Sequence, residues 1–316
     1  MSEMALFSCP AMDSLSREVI RIAQQRYSKA INAGKLLWSK FPDGWPNIAI
    51  ENVGMCSNFQ ATFLAAMERP ADVFEQLAVV YALPRYLVRS LQVIMPYFPV
   101  GTMERKVYGG EIVTAMTLSR MLSQIPLNRP GGPAKLVFFD IHALPEEFYL
   151  RDGVVVQLVS AMPLFQSELS KLDAPAIAFP DEGAMNRFGK MFNAYDLIVC
   201  GKKRNGNQRD VRIISGDPSK RHVCIIDDLV QTGGTLIECN KALRNAGARS
   251  VSAAVTHGVF PNESWKRIIE GEICFDNFWI TDSCPTTAQA VIGKKPFEVI
   301  SLSDVIVDLV VNDSMA

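Results

Sequence analysis

Seven short apolar runs, spaced along the chain and separated by longer amphipathic stretches, limit the folds open to this sequence more than any other feature. The runs are Leu91 to Met95, Leu136 to Phe139, Val154 to Leu158, Ala176 to Phe179, Leu197 to Cys200, Val223 to Ile226 and Val251 to Val255. A continuous apolar run of this length suits a strand buried on both faces, as in a parallel sheet. Helical spacing of apolar residues marks Ser14 to Ala33, Pro70 to Ala82, Gly110 to Gln124, Gly183 to Phe192, Thr235 to Ala246 and Glu263 to Glu270. Alternation of the two kinds of segment predicts an α/β fold of mainly parallel sheets flanked by helices. At 316 residues the chain exceeds the usual size of one core, so two domains are expected.

Charge excludes several partners. Lys and Arg total 32 against 33 for Asp and Glu, a formal net charge of −1. With no basic run, nucleic acid and anionic membranes are not expected partners, and small ligands are. No apolar stretch approaches the ~18 residues of a membrane span, and the first residues lack the basic start and apolar core of a signal peptide, so a cytoplasmic location is expected. The seven cysteines show no Cys-x-x-Cys spacing, which disfavours disulfides and structural zinc. Cys224 and Cys239 fall on core faces, where a thiol packs as a small hydrophobe.

The segment Arg221 to Leu236 carries the most chemistry. Its apolar strand Val223 to Ile226 leads into Asp227 and Asp228, at the strand end where open α/β sheets bind ligands. Gln231, Thr232, Gly233, Gly234 and Thr235 follow and open onto a helix. Unobstructed backbone N–H groups, two hydroxyls and the positive end of a helix suit a phosphate monoester; two carboxylates suit hydroxyls or a metal. The alternative is an ordinary polar turn. A dinucleotide fingerprint fits worse, because the Gly-x-Gly-x-x-Gly spacing is absent and two aspartates would repel a pyrophosphate.

This segment resembles the phosphoribosyl diphosphate (PRPP) binding motif shared by phosphoribosyltransferases and ribose-phosphate diphosphokinases, also called PRPP synthetases. Other segments match the synthetases in order: Phe138-Phe-Asp-Ile-His-Ala143, Ala178-Phe-Pro-Asp-Glu-Gly-Ala184, Cys200-Gly-Lys-Lys-Arg204 and Val255-Thr-His-Gly-Val-Phe260. Phe41-Pro-Asp-Gly-Trp-Pro-Asn47 and Pro96-Tyr-Phe-Pro-Val-Gly-Thr-Met-Glu-Arg105 look like the class II, plant-type branch. The resemblance runs from about Leu6 to beyond Phe260.

It implies two phosphoribosyltransferase-type domains, expected at residues 1–160 on the ATP side and 161–316 with the ribose 5-phosphate loop. The implied reaction is attack by the anomeric hydroxyl of ribose 5-phosphate on the β-phosphorus of ATP, giving PRPP and AMP, with Mg²⁺ as cofactor. Lys202 and Arg204 are the implied catalytic cations, on a polar loop from Gly201 to Asp210 that would close over ATP. His142 and Asp181 are the implied metal contacts, with His142 also on the ATP side. Asp227, Asp228 and Gln231 to Thr235 would hold ribose 5-phosphate.

Glu104 and Arg105 are implied ATP contacts, whereas Thr102 and Met103 stand where the class I branch carries an arginine and a glutamine. Phe41, Asp43 and Trp45 are implied to reach the adenine of a neighbouring subunit in a homo-oligomer, the alternative being a Pro/Gly turn with one packed aromatic. His257 matches a landmark without a derivable role, and His222 is expected at the surface. A phosphoribosyltransferase and a catalytically silent partner subunit stay open as other functions.

Overall fold

A computed structural model describes residues 3–28, 30–86, 88–100, 106, 108–129, 131–142, 150, 153–205, 208–271 and 273–312, with backbone alone at 55, 56, 202–205 and 208–210. The chain divides into two compact units, Met1–Val159 with Ser301–Ala316, and Ser160–Ile300.

The first unit is a six-stranded parallel sheet in the order β2-β1-β5-β6-β7-β8. Its strands are β1 (Met4–Ser8), β2 (Ile31–Ala33), β5 (Gln60–Leu64), β6 (Ser90–Ile94), β7 (Ala134–Phe139) and β8 (Val154–Val159), and a hairpin of β3 (Leu36–Lys40) and β4 (Pro46–Ile50) stands apart. The helices are α1 (Asp13–Tyr27), α2 (Pro70–Arg85) and α3 (Thr114–Leu122). Phe7, Phe63, Phe138 and Phe139 are fully buried, which accounts for the uninterrupted apolar character of these strands.

The helix expected over Ser14 to Ala33 is shorter. Ser28 takes a left-handed conformation that ends α1, and Ile31 pairs with Met4 at the sheet edge. A side chain at Gly34 would fall 2.3 Å from the ring of Phe7, so only glycine lets the chain leave β2 so close to the core.

The second unit is a seven-stranded sheet in the order β11-β10-β9-β12-β13-β14-β15. It comprises β9 (Ala176–Phe179), β10 (Leu197–Asn205), β11 (Gln208–Ser215), β12 (His222–Val230), β13 (Ser250–Gly258), β14 (Phe278–Thr281) and β15 (Phe297–Ile300). Around it lie α4 (Met162–Leu169), α5 (Glu182–Phe188), α6 (Gly234–Asn245), α7 (Lys266–Glu270) and α8 (Pro285–Val291). All pairings are parallel except that of β10 with β11. After β15 the chain returns to the first unit as α9 (Ser303–Asn312), which packs on α1.

Two expectations need correction here. The polar segment Gly201 to Asp210, expected as a loop, is antiparallel strand at its described residues: Gly201 pairs with Arg212 and Arg204 with Arg209. An edge ladder is held by backbone hydrogen bonds and can carry polar side chains, so residues 202–205 and 208–210 carry no apolar signal, while Val211 and Ile213 join the core. His222 is buried, with Nε2 2.9 Å from Ser252 Oγ, and burial lowers its pKa. The described cysteines are free thiols, and those of Cys200 and Cys239 meet at 3.2 Å in the core.

Candidate functional site

The site of the second unit is built at the carboxyl end of β12. This strand runs past the apolar residues, so Asp227 and Asp228 lie within it, and its pairing with β13 continues to Gly258. Asp228 is 1% exposed. Its Oδ2 accepts from Nη1 of Arg187, on α5, at 2.5 Å. A carboxylate this deep needs a hydrogen-bonded cation, and α5 supplies it.

Among the described residues Asp227 has no such cation, only the Asp228 N–H donating to its Oδ1 at 3.0 Å. Loss of hydration raises its pKa well above the ordinary 3.8, and the adjacent charges of Asp228 and then Asp181 push the same way. Asp181 lies two residues past β9 and caps α5, its Oδ1 accepting from the Ala184 N–H at 3.0 Å. The charges of Asp227, Asp228 and Asp181 thus reinforce one another, with Arg187 paired to Asp228, an environment that favours a further cation.

The loop after β12 turns sharply. Gly233 has φ +77°, and an added side chain there would meet Ile268 Cδ1 at 3.1 Å. Gly234 starts α6 at an ordinary φ, and its nearest atom, Thr232 Oγ1, would be 3.7 Å away. Gly233 is therefore glycine for the protein's own backbone, whereas Gly234 has room for a methyl group.

Every carbonyl from Val230 to Gly233 is held. Val230 accepts from the N–H of Val259 and Gly233 from that of Ile237. Gln231 accepts from Ser264 Oγ at 2.9 Å and Thr232 from Arg267 Nη1 at 3.1 Å. Among the described residues the N–H groups of Thr232 and Gly233 have no protein acceptor. Arg187, Ser264 and Arg267 were not expected from the sequence, because each acts across 30 or more residues of chain and belongs to no contiguous motif.

Lys202 and Arg204 lie on β10, opposite Val211 and Arg209 in the hairpin; their side chains are outside the described residues. His257 is buried on β13, with Nδ1 2.9 Å from Ser283 Oγ. In the first unit His142 follows β7, at the carboxyl end of that sheet. Glu104 and Arg105, with Thr102 and Met103, lie outside the described residues.

The β3–β4 turn holds Phe41, Asp43 and Trp45. Phe41 N–H donates to Trp45 O, and Asp43 Oδ1 accepts from the Trp45 N–H. Trp45 meets the edge of Phe74, on α2, with centroids 5.4 Å apart, yet is 60% exposed; Phe41 is 51% exposed. One aromatic is thus partly packed while both leave most of a ring face uncovered.

Among the described residues no three His, Cys, Asp or Glu side chains gather as a metal cage, and no helix is long and apolar enough to cross a membrane.

A parallel strand bearing two carboxylates near its carboxyl end, followed by a glycine turn into a helix, fits the phosphoribosyltransferase type of domain, and the family model for "Phosphoribosyl transferase domain" matches residues 195–289. Ribose-phosphate pyrophosphokinase 3, mitochondrial, of Spinacia oleracea is 48% identical over 95% of this chain and 75% of its own length. Ribose-phosphate pyrophosphokinase 4 of Arabidopsis thaliana is 44% identical over 96% of this chain and 90% of its own. A crystal structure of phosphoribosylpyrophosphate synthetase from Mycobacterium smegmatis shares the fold with a TM-score of 0.80 at 20% identity, covering 99% of both chains. The chain belongs to the ribose-phosphate pyrophosphokinase family.

Proposed function

We propose that this protein transfers the β,γ-diphosphoryl group of ATP to the 1-hydroxyl of ribose 5-phosphate, giving PRPP and AMP. The observation that carries this reading is the loop from Gln231 to Thr235, whose carbonyls are tied back while N–H groups and a helix start face the other way, beside Asp227 and Asp228. The loop takes the 5-phosphate, and the carboxylates take the ribose hydroxyls. The anomeric oxygen then forms a bond to the β-phosphorus, the bond from that phosphorus to the oxygen bridging to the α-phosphate breaks, AMP leaves with the oxygen, and the hydroxyl proton passes to solvent.

Lys202 and Arg204 stabilise the charge that spreads over phosphoryl oxygens, and His142, Glu104 and Arg105 serve the nucleotide. The donor set fits Mg²⁺: Asp181 and Asp227 are carboxylates in a field that wants positive charge, and this ion takes one or two carboxylates with waters and substrate phosphates, without an all-protein cage. Asp181, with Asp227 near it, would hold it in the second unit, where it would neutralise phosphate charge, and His142 is proposed as a metal contact within the first unit.

The exposed faces of Phe41 and Trp45, with Asp43 between them, fit an adenine ring and its exocyclic amine, contributed to a neighbouring subunit of a homo-oligomer. We propose a cytoplasmic location, which imaging of the tagged protein tests; relatives are named mitochondrial and chloroplastic. The decisive assay combines the purified protein with ATP, Mg²⁺ and ribose 5-phosphate. AMP and PRPP should form in equal amounts, and their absence would overturn the assignment.

A further inference from the structure

The carbonyls of Gln231 and Thr232 are gripped by two side chains of one short segment, Ser264 Oγ at 2.9 Å and Arg267 Nη1 at 3.1 Å. A trans peptide is planar, so its C=O and the next N–H point in opposite directions. Drawing both carbonyls toward residues 264–267 therefore turns the N–H groups of Thr232 and Gly233 away from that segment. It also removes two negative dipole ends that would repel a phosphate, and the charged donor on Thr232 makes that grip the stronger of the two.

The gripping segment is itself held. Phe260, Asn262 and Glu263 have φ of +41°, +53° and +56°, left-handed conformations that cost free energy in non-glycine residues and persist only where surroundings impose them. Trp265 is 6% exposed, with the ammonium groups of Lys266 and Lys294 at 5.5 and 5.3 Å from its ring centroid. Ile268 is buried and closes on Gly233 from the same side. A strained, anchored turn thus delivers two donors to two consecutive peptide units of the loop.

We propose that Ser264 and Arg267 are positioning residues of the phosphate loop, fixing the Gln231 and Thr232 peptides so that the N–H groups of Thr232 and Gly233 meet the 5-phosphate of the sugar substrate. This rests on the function proposed above and adds how the loop is made ready before substrate arrives.

The test uses the full chain with Ser264→Ala, Arg267→Ala and the double variant, beside the conservative Ser264→Thr and Arg267→Lys. The double variant should raise the KM for ribose 5-phosphate roughly 5- to 20-fold, the scale of two lost hydrogen bonds, while the KM for ATP moves less than about twofold. Thr and Lys, which keep a donor, should restore most of the loss. Equal rises in both KM values, or an unchanged KM for ribose 5-phosphate in the double variant, would overturn the proposal. If the double variant does not fold, the exposed Arg267→Ala and its Lys rescue decide alone.

A readout without turnover separates this idea from the function. Titration with inorganic phosphate should shift the Thr232 and Gly233 amide resonances of the wild-type protein, and much less in Arg267→Ala. A wild-type chain that forms no AMP but shows these shifts would sink the proposed function and keep the positioning role. Wild-type amides that do not respond, or variants that respond equally, would sink the positioning role itself.

Discussion

Asp227 and Asp228 are neighbours in the chain and opposites in chemistry. Asp228 is held by Arg187, so Arg187→Gln leaves a buried carboxylate without its cation. That change should cost about 3 kcal/mol of stability and weaken ribose 5-phosphate binding, with Arg187→Lys retaining part of both; denaturant melts and calorimetry check it. Asp227 has its pKa raised by lost hydration and by Asp228 and Asp181. A carboxyl whose folded pKa lies above its unfolded one stabilises the fold most below the ordinary value, and that contribution is lost as pH rises toward the folded pKa.

Asp227→Asn should therefore raise the melting temperature of the ligand-free protein at pH 7, by a margin that shrinks as pH falls toward 4, while turnover drops about 100-fold or more. An equal margin at all pH values would refute the electrostatic account. Gly233 and Gly234 divide in the same manner. Gly233→Ala should lower stability because of its positive φ, by roughly 1 kcal/mol or more, whereas Gly234→Ala should leave stability unchanged or improved and raise the KM for ribose 5-phosphate.

At the scale of elements, the hairpin β10–β11 carries Lys202 and Arg204. If they act on charge that develops only at the transition state, Lys202→Ala and Arg204→Ala should each lower kcat by about 100-fold or more with little change in ribose 5-phosphate affinity. Single-turnover kinetics beside calorimetry would show it, and near-normal turnover in both variants would remove them from the mechanism. The legibility of this region in the sequence was uneven for a physical reason. An apolar run marks a strand where both faces are covered, and all seven runs fall within observed strands or extend them by a residue, whereas β1, β5 and β14, also largely buried, lie outside those runs.

The polar sequence of the hairpin reads as a loop, since an edge ladder is held by backbone hydrogen bonds to which polar side chains are indifferent. Asp227 to Thr235 was legible because strand, acids, glycines and helix are consecutive. Arg187, Ser264 and Arg267 were not, because no periodicity records that a side chain 30 or more residues away ends on a given carbonyl or carboxylate.

On the scale of the whole molecule, the least legible feature is the return of the chain. After β15 completes the second unit, α9 rejoins the first. The ion pair Arg26–Asp304 at 2.5 Å and the hydrogen bond from Tyr27 Oη to Asp308 join α9 to α1. Solvent screens the exposed Arg26–Asp304 pair, so these contacts set register rather than affinity, and Asp304→Asn should be nearly neutral. The apolar face decides the matter: Leu302, Ile306, Val307, Val310 and Val311 are all buried. At about 1.5–3 kcal/mol for each such side chain, their burial contributes roughly 7–15 kcal/mol, an upper estimate. That matches the 5–15 kcal/mol by which a whole domain is usually stable. A chain ended after Ile300 should therefore lose the cooperative unfolding of the first unit and expose apolar surface there, while 160–300 keeps a folded core. Limited proteolysis with mass spectrometry would reveal this as a surviving fragment from the second unit alone; protection of both units in the truncated chain would show that α9 contributes far less than its burial indicates.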